Sequence, residues 1–122
     1  MGAIFGYFQQ NFTDFRHFWC GFQFSVTKKI KKSSTYFHTF INKPSLAAGV
    51  LILKPGEEDT QEPHDSDEVY YVISGDGFLK IKDKDYKVSK DKVFFVAKDF
   101  KHYFHGNKKE LKVLYFFGGP DT

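Results

Sequence analysis

Beyond residue 34 the apolar residues of this chain recur with a period of two, in short runs separated by turn residues: "TYFHTFI", "SLAAGVLIL", "EVYYVIS", "GFLKIK", "YKVS", "KVFFVA", "HYFHG" and "LKVLYFF". Alternation of this kind sends successive side chains to opposite faces of an extended chain, so each run reads as a strand with one buried face. Eight short strands in series predict an all-β sandwich or barrel over residues 35–122. The breaks agree: "KPGEED" as a turn, "SGDG" as a tight hairpin, "KDKD" as a charged turn and "GNKKE" as the loop before the last strand. The 16 Phe and 7 Tyr, with recurring Val, Ile and Thr, suit a pleated, half-buried surface better than long helices.

The first 34 residues follow another rule. Phe5, Phe8, Phe12, Phe15, Trp19 and Phe22 recur at spacings of three and four, which predicts one amphipathic helix, followed by the basic linker "KKIKK" at 28–32. With 122 residues the chain encloses one core, so the expected division is an N-terminal segment, 1–34, and a single β domain, 35–122. The aromatic face is expected to dock on the β domain or on a second subunit, which makes a homodimer the expected assembly. Membrane-surface binding is the lesser alternative, since an interfacial helix would carry Lys and Arg on its polar face. A start codon assigned too early would also produce such a segment.

Charge and cysteine usage narrow the function classes. The net charge is +3, but of the 18 basic residues only Arg16 is arginine, and phosphate and guanine readout leans on the arginine fork. Nucleic acid is therefore not an expected partner. Cys20 is the sole cysteine, which excludes an intrachain disulfide and a cysteine-based zinc site and fits a reducing cytosol. Gln9, Gln10, Asn11, Asp14 and Arg16 interrupt the apolar start before a secretory h-region forms, and no apolar run is long enough to span a bilayer. There is no Gly-rich phosphate loop ahead of a helix and no nucleophile elbow.

The chemistry lies in "EPHDSDEVYYVISG", residues 62–75. Read as strand, turn and strand, it puts Glu62 and His64 on one face and opens the next strand with Glu68, whose face is shared by Tyr70 and Val72. Later, "FKHYFHGN" offers His102 with Phe100 and Phe104 on its face, while Tyr103 and His105 look the other way. A strand pairing that set His102 opposite Glu68 would gather these groups. His64, Glu68 and His102 have the composition of a two-histidine, one-carboxylate site for one divalent metal, Fe, Mn, Ni, Cu or Zn, with open positions for substrate and oxygen. Glu62 is the candidate fourth ligand, unless Pro63 bends the strand end and turns it to solvent; Gln61 offers a neutral oxygen donor instead. Gln61, Tyr70, Val72, Phe100 and Phe104 are the candidate pocket lining. The competing interpretation is a structural His–Glu hydrogen bond in an aromatic-filled barrel that binds a ligand, or takes part in assembly, without metal. His38 and His105 read as surface or interface residues, and His17 has no expected chemical role. Glu62 and Glu68 as a glycosidase pair are less well supported than a metal site, given the histidines beside them.

The order of these residues resembles the cupin family, whose first motif runs Gly, five residues, His, one, His, three or four, Glu, six, Gly. Here Gly56 begins it, Glu62 stands at the first His, and His64, Glu68 and Gly75 follow in step. The second motif runs Gly, five residues, Pro, one, Gly, two, His, three, Asn. Laid on "DKVFFVAKDFKHYFHGN", it retains His102 alone, with Asp91, Ala97, Asp99 and Gly106 at the other positions. The resemblance spans residues 44–117. It implies a jelly-roll barrel, one divalent metal, a small-molecule ligand or substrate, and dioxygenation, isomerisation, decarboxylation or ligand sensing as the range of activities.

Overall fold

A computed structural model describes Gly21 and residues 37–120. The amphipathic helix and basic linker expected over 1–34 lie outside the described residues. Residues Thr35–Thr122 form a compact unit built of eight strands: β1 (Phe37–Lys43), β2 (Leu46–Leu53), β3 (Glu68–Ser74), β4 (Gly77–Ile81), β5 (Lys84–Val88), β6 (Val93–Val96), β7 (His102–His105) and β8 (Leu111–Phe117). They make a five-stranded sheet in the order β1-β2-β8-β3-β6 and a three-stranded sheet in the order β5-β4-β7, a jelly roll with antiparallel neighbours throughout. Among the described residues no helix is long and apolar enough to cross a membrane.

The alternation in the sequence becomes the core. On β8, Leu111, Val113, Tyr115 and Phe117 turn inward, and on β3 Tyr70 and Val72 do the same; Leu51 and Leu53 of β2, Leu79 of β4 and Phe104 of β7 complete the filling. Each such side chain taken fully from water contributes about 1.5–3 kcal/mol.

Two connections depart from the local reading. "SGDG" joins β3 to β4, which belong to different sheets, so it is a corner and not a hairpin. Gly75 has φ +109 there, and a Cβ on it would lie 2.6 Å from the Glu110 carbonyl oxygen. Asp76 fastens the corner by accepting the backbone N–H groups of Lys108 and Lys109 at 2.9 and 3.0 Å. Residues 54–67 form no strand. Pro63 supplies no N–H for a ladder, and the segment is held from the side: the Asp99 N–H donates to the His64 carbonyl at 2.8 Å and the Phe104 N–H to Asp59 Oδ2 at 2.8 Å. The second contact predicts that Asp59→Ala, which orphans a buried N–H at β7, lowers stability by about 1–3 kcal/mol, readable in a thermal or urea melt.

Candidate metal centre

Glu68 opens β3 and His102 opens β7, so both inward side chains stand at the ends of their strands. They do not meet by strand pairing, as the sequence reading expected. Glu68 lies in register with Val96 and Phe117, while His102 lies opposite Ile81 in the other sheet. The two groups meet across the interior, face to face, with His102 Nε2 3.0 Å from Glu68 Oε1. His64 reaches the same place from the loop, its Nε2 4.0 Å from Glu68 Oε1 and its ring 4.4 Å from that of Phe117. The ligand atoms of His64, Glu68 and His102 all lie within 4.8 Å of one another.

Two further residues join them. Gln61 Oε1 is 3.3 Å from His64 Nε2, and the Tyr70 hydroxyl donates to Gln61 Oε1 at 3.0 Å while lying 3.1 Å from His102 Nε2. His102 Nδ1 is 2.8 Å from the Phe100 carbonyl. A carbonyl can only accept, which assigns a proton to Nδ1 and, in the neutral ring, leaves the Nε2 lone pair facing the site.

The electrostatics follow from burial. Glu68 is 1% exposed and no well-aligned hydrogen bond reaches either of its oxygens, while His102 Nε2 stands 3.0 Å from Oε1 and both His102 and the Tyr70 hydroxyl feel its charge. Burial first, then the negative charge of Glu68, raises the Tyr70 hydroxyl well above its ordinary value, so the phenol stays protonated. For His102, burial acts to lower the pKa, but contact with Glu68 and the Phe100 carbonyl prevails and raises it.

The other candidates disperse. Glu62 is exposed and lines a groove with Glu57, Glu58 and Lys101 that also borders Asp59 and Gln61. Val72 and Phe104 are buried, Phe104 meeting the Tyr70 ring edge-on at 4.9 Å. Phe100 does not share their pocket: the residue is 39% exposed, with the Lys82 ammonium 5.2 Å from its ring centroid. A turn at Asp99, with φ +69, precedes it and breaks the strand alternation that would have carried it inward. His105 lies on the outer face, 2.8 Å from Asp85 Oδ1, and His38 sits on β1 opposite Val50. Sequence reasoning passed over Asp59, buried at 7% exposure, and Asn107, whose amide donates to the carbonyls of Leu53 at 3.0 Å and Lys109 at 2.8 Å. Asn107 stands one place after the motif's Asn position; a register allowing that slip would have found it.

Known proteins resemble this chain in both sequence and fold. An uncharacterised protein of Streptomyces coelicolor, SCO3923, is 31% identical over 83 residues, which is 68% of this chain and 79% of that protein. The BH2720 protein of Bacillus halodurans aligns with a TM-score of 0.67 at 16% identity, over 75% of this chain and 76% of that one. An RmlC-like cupin with a double-stranded β-helix fold from Methanocaldococcus jannaschii aligns at 0.66 and 15%, over 75% and 86%. These two show the shared fold. The family model described as a cupin domain matches residues 49–117, more than half of the sequence and the whole span between the second strand and the last, and on that match the chain belongs to the cupin family.

Proposed function

We propose that this cupin holds one divalent transition metal between His64, Glu68 and His102 and uses it to bind, and act on, a small polar molecule. The observation that carries this reading is Glu68: a carboxylate withdrawn from water, with no well-aligned hydrogen bond to either oxygen and two histidine nitrogens 3.0 and 4.0 Å from Oε1, so that with His102 neutral its charge is uncompensated. A buried charge without such compensation costs several kcal/mol, and a cation between the three groups removes the deficit. Two imidazoles and one carboxylate suit Fe(II), Mn(II), Ni(II), Cu(II) or Zn(II) and leave positions for a chelating ligand and, with iron, for dioxygen. The chain's own residues set the surroundings. The Phe100 carbonyl fixes the tautomer of His102, Tyr70 supplies a protonated hydroxyl, and Phe104, Phe117 and Val96 keep the interior apolar.

Elemental analysis of the full-length protein after loading and removal of excess metal is expected to give about one ion per chain. His64→Ala, at a loop position outside the strands, should lose that occupancy while keeping the far-ultraviolet circular dichroism of the parent. Wild type without metal overturns the reading, and His64→Ala with full metal moves the site elsewhere. For oxygen chemistry, the Fe(II) form with a panel of small diols, thiols and keto acids should take up dioxygen, and His102→Ala should not; equal uptake by both would trace it to free iron.

A further inference from the structure

We infer that Gln61, not Glu62, is the fourth ligand of this centre, with Asp59 as the residue that turns its amide oxygen inward. The inference rests on the metal reading above and specifies its donor set. Asp59 Oδ2 accepts from Gln61 Nε2 at 2.7 Å, and its Oδ1 lies 3.4 Å from the Gln61 N–H. The same Oδ2 accepts the Phe104 N–H, so the carboxylate is tied to β7 beside His102. An ionised carboxylate only accepts, so the Gln61 amide must point its NH2 at Asp59 and its oxygen at the site. A flipped amide would set oxygen against oxygen at Asp59.

The inward oxygen closes a ring of polar atoms. In order they are Gln61 Oε1, His64 Nε2, Glu68 Oε1, His102 Nε2 and the Tyr70 hydroxyl, with successive separations of 3.3, 4.0, 3.0, 3.1 and 3.0 Å. Ligand atoms at right angles on a metal with bonds of about 2.1 Å stand about 3 Å apart, so this is the spacing of neighbouring ligands. The Gln61 and Glu68 oxygens are acceptors only, and Tyr70 brings a single proton to share between Gln61 and His102. His64 Nε2 donates or accepts according to its tautomer; with its lone pair inward, the lone pairs around this ring of atoms outnumber the protons, which suits a cation. Glu62, one residue on, is exposed and is not among the residues whose ligand atoms gather at the centre. The consequence is a difference in charge: with Gln61 neutral, Glu68 is the sole anionic ligand and a divalent ion keeps one positive charge, whereas Glu62 as ligand would cancel it.

The test uses Co(II) and the full chain, reading both affinity and the visible ligand-field band, which reports the donor set independently of any activity. Gln61→Met, close in size but without the oxygen donor, should weaken Co(II) binding about 10- to 100-fold and shift the band. Glu62→Gln should change neither. Should Gln61→Met fail to fold, wild type decides: in the Co(II) form the side-chain carboxamide resonances of Gln61 should be displaced far more than the carboxylate carbon of Glu62. Wild-type affinity and an unchanged band in Gln61→Met overturn the assignment while leaving the three-residue centre standing, as does a weakened Glu62→Gln. Wild type that binds no Co(II) defeats the metal reading itself.

Discussion

Gly49→Ala is expected to be among the most destabilising single changes in the β domain, despite adding only a methyl group. Gly49 sits mid-strand in β2, opposite Thr39 of β1 and Tyr115 of β8. The Tyr115 ring passes over it, fully buried, stacked on Phe37 at 4.6 Å and hydrogen-bonded through its hydroxyl to Thr39. A Cβ at Gly49 would lie inside 3.0 Å of the His38 carbonyl oxygen and of two Tyr115 atoms. One of those is backbone and cannot rotate away, so the cost falls at the upper end of overpacking, about 3 kcal/mol. For a domain of this size that is roughly 12–24 °C in Tm. Thermal unfolding of the metal-free protein checks it. Tyr115→Leu combined with Gly49→Ala should recover only part of the loss, since the His38 contact persists; a Gly49→Ala protein that melts within about 4 °C of the parent contradicts this packing.

Gly49 also shows what the sequence does not tell. Period-two alternation and Gly/Pro punctuation are local signals, and they locate all eight strands within a few residues. Which strands pair is not local. "SGDG" announces a tight turn through its glycines, but the change of sheet at that turn is set by β3 pairing with β6 and β8 and β4 with β5 and β7. Likewise, the spacing of Glu62 and His64 looks like one face of a strand, yet residues 54–67 have no ladder, and without a ladder two-residue spacing fixes no common face.

The same limit governs the site. Histidine and carboxylate types name a candidate chemistry, and Glu68 and His102 are inward because each begins a strand whose later residues alternate into the core. Their meeting across two sheets, rather than along one, depends on the closure of the whole jelly roll. Asp59 was illegible for a plainer reason. It ends the run Glu57, Glu58, Asp59, which in sequence is a solvated turn, and only a contact 45 residues away in the chain, with the Phe104 N–H, makes it different from its neighbours.

Glu68→Leu should lower stability with metal present and, in the alkaline range, raise it with metal absent. With metal, wild type gains about 2.7 kcal/mol at a free concentration 100 times Kd, or roughly 11–22 °C in Tm, and the variant, left with two imidazoles and no anionic ligand, should show none of it. Without metal, the sign depends on pH through His102. Its folded pKa is raised by contact with Glu68 against the opposing effect of burial, so the ion pair stabilises the fold fully below the unfolded value of about 6.5 and is lost as pH rises through the folded value. In acid, then, the substitution removes a working pair and costs stability or breaks even. In the alkaline range His102 is neutral, and wild type keeps a carboxylate that is 1% exposed with no well-aligned hydrogen bond to either oxygen. Leucine there should melt higher than metal-free wild type, by about 1–4 kcal/mol. Melts of both proteins in chelator at the two ends of this range make the measurement. A Glu68→Leu protein less stable than metal-free wild type in alkali would mean that the carboxylate serves the fold by itself, as a structural hydrogen-bonding group, and the case for a metal at this centre would fail.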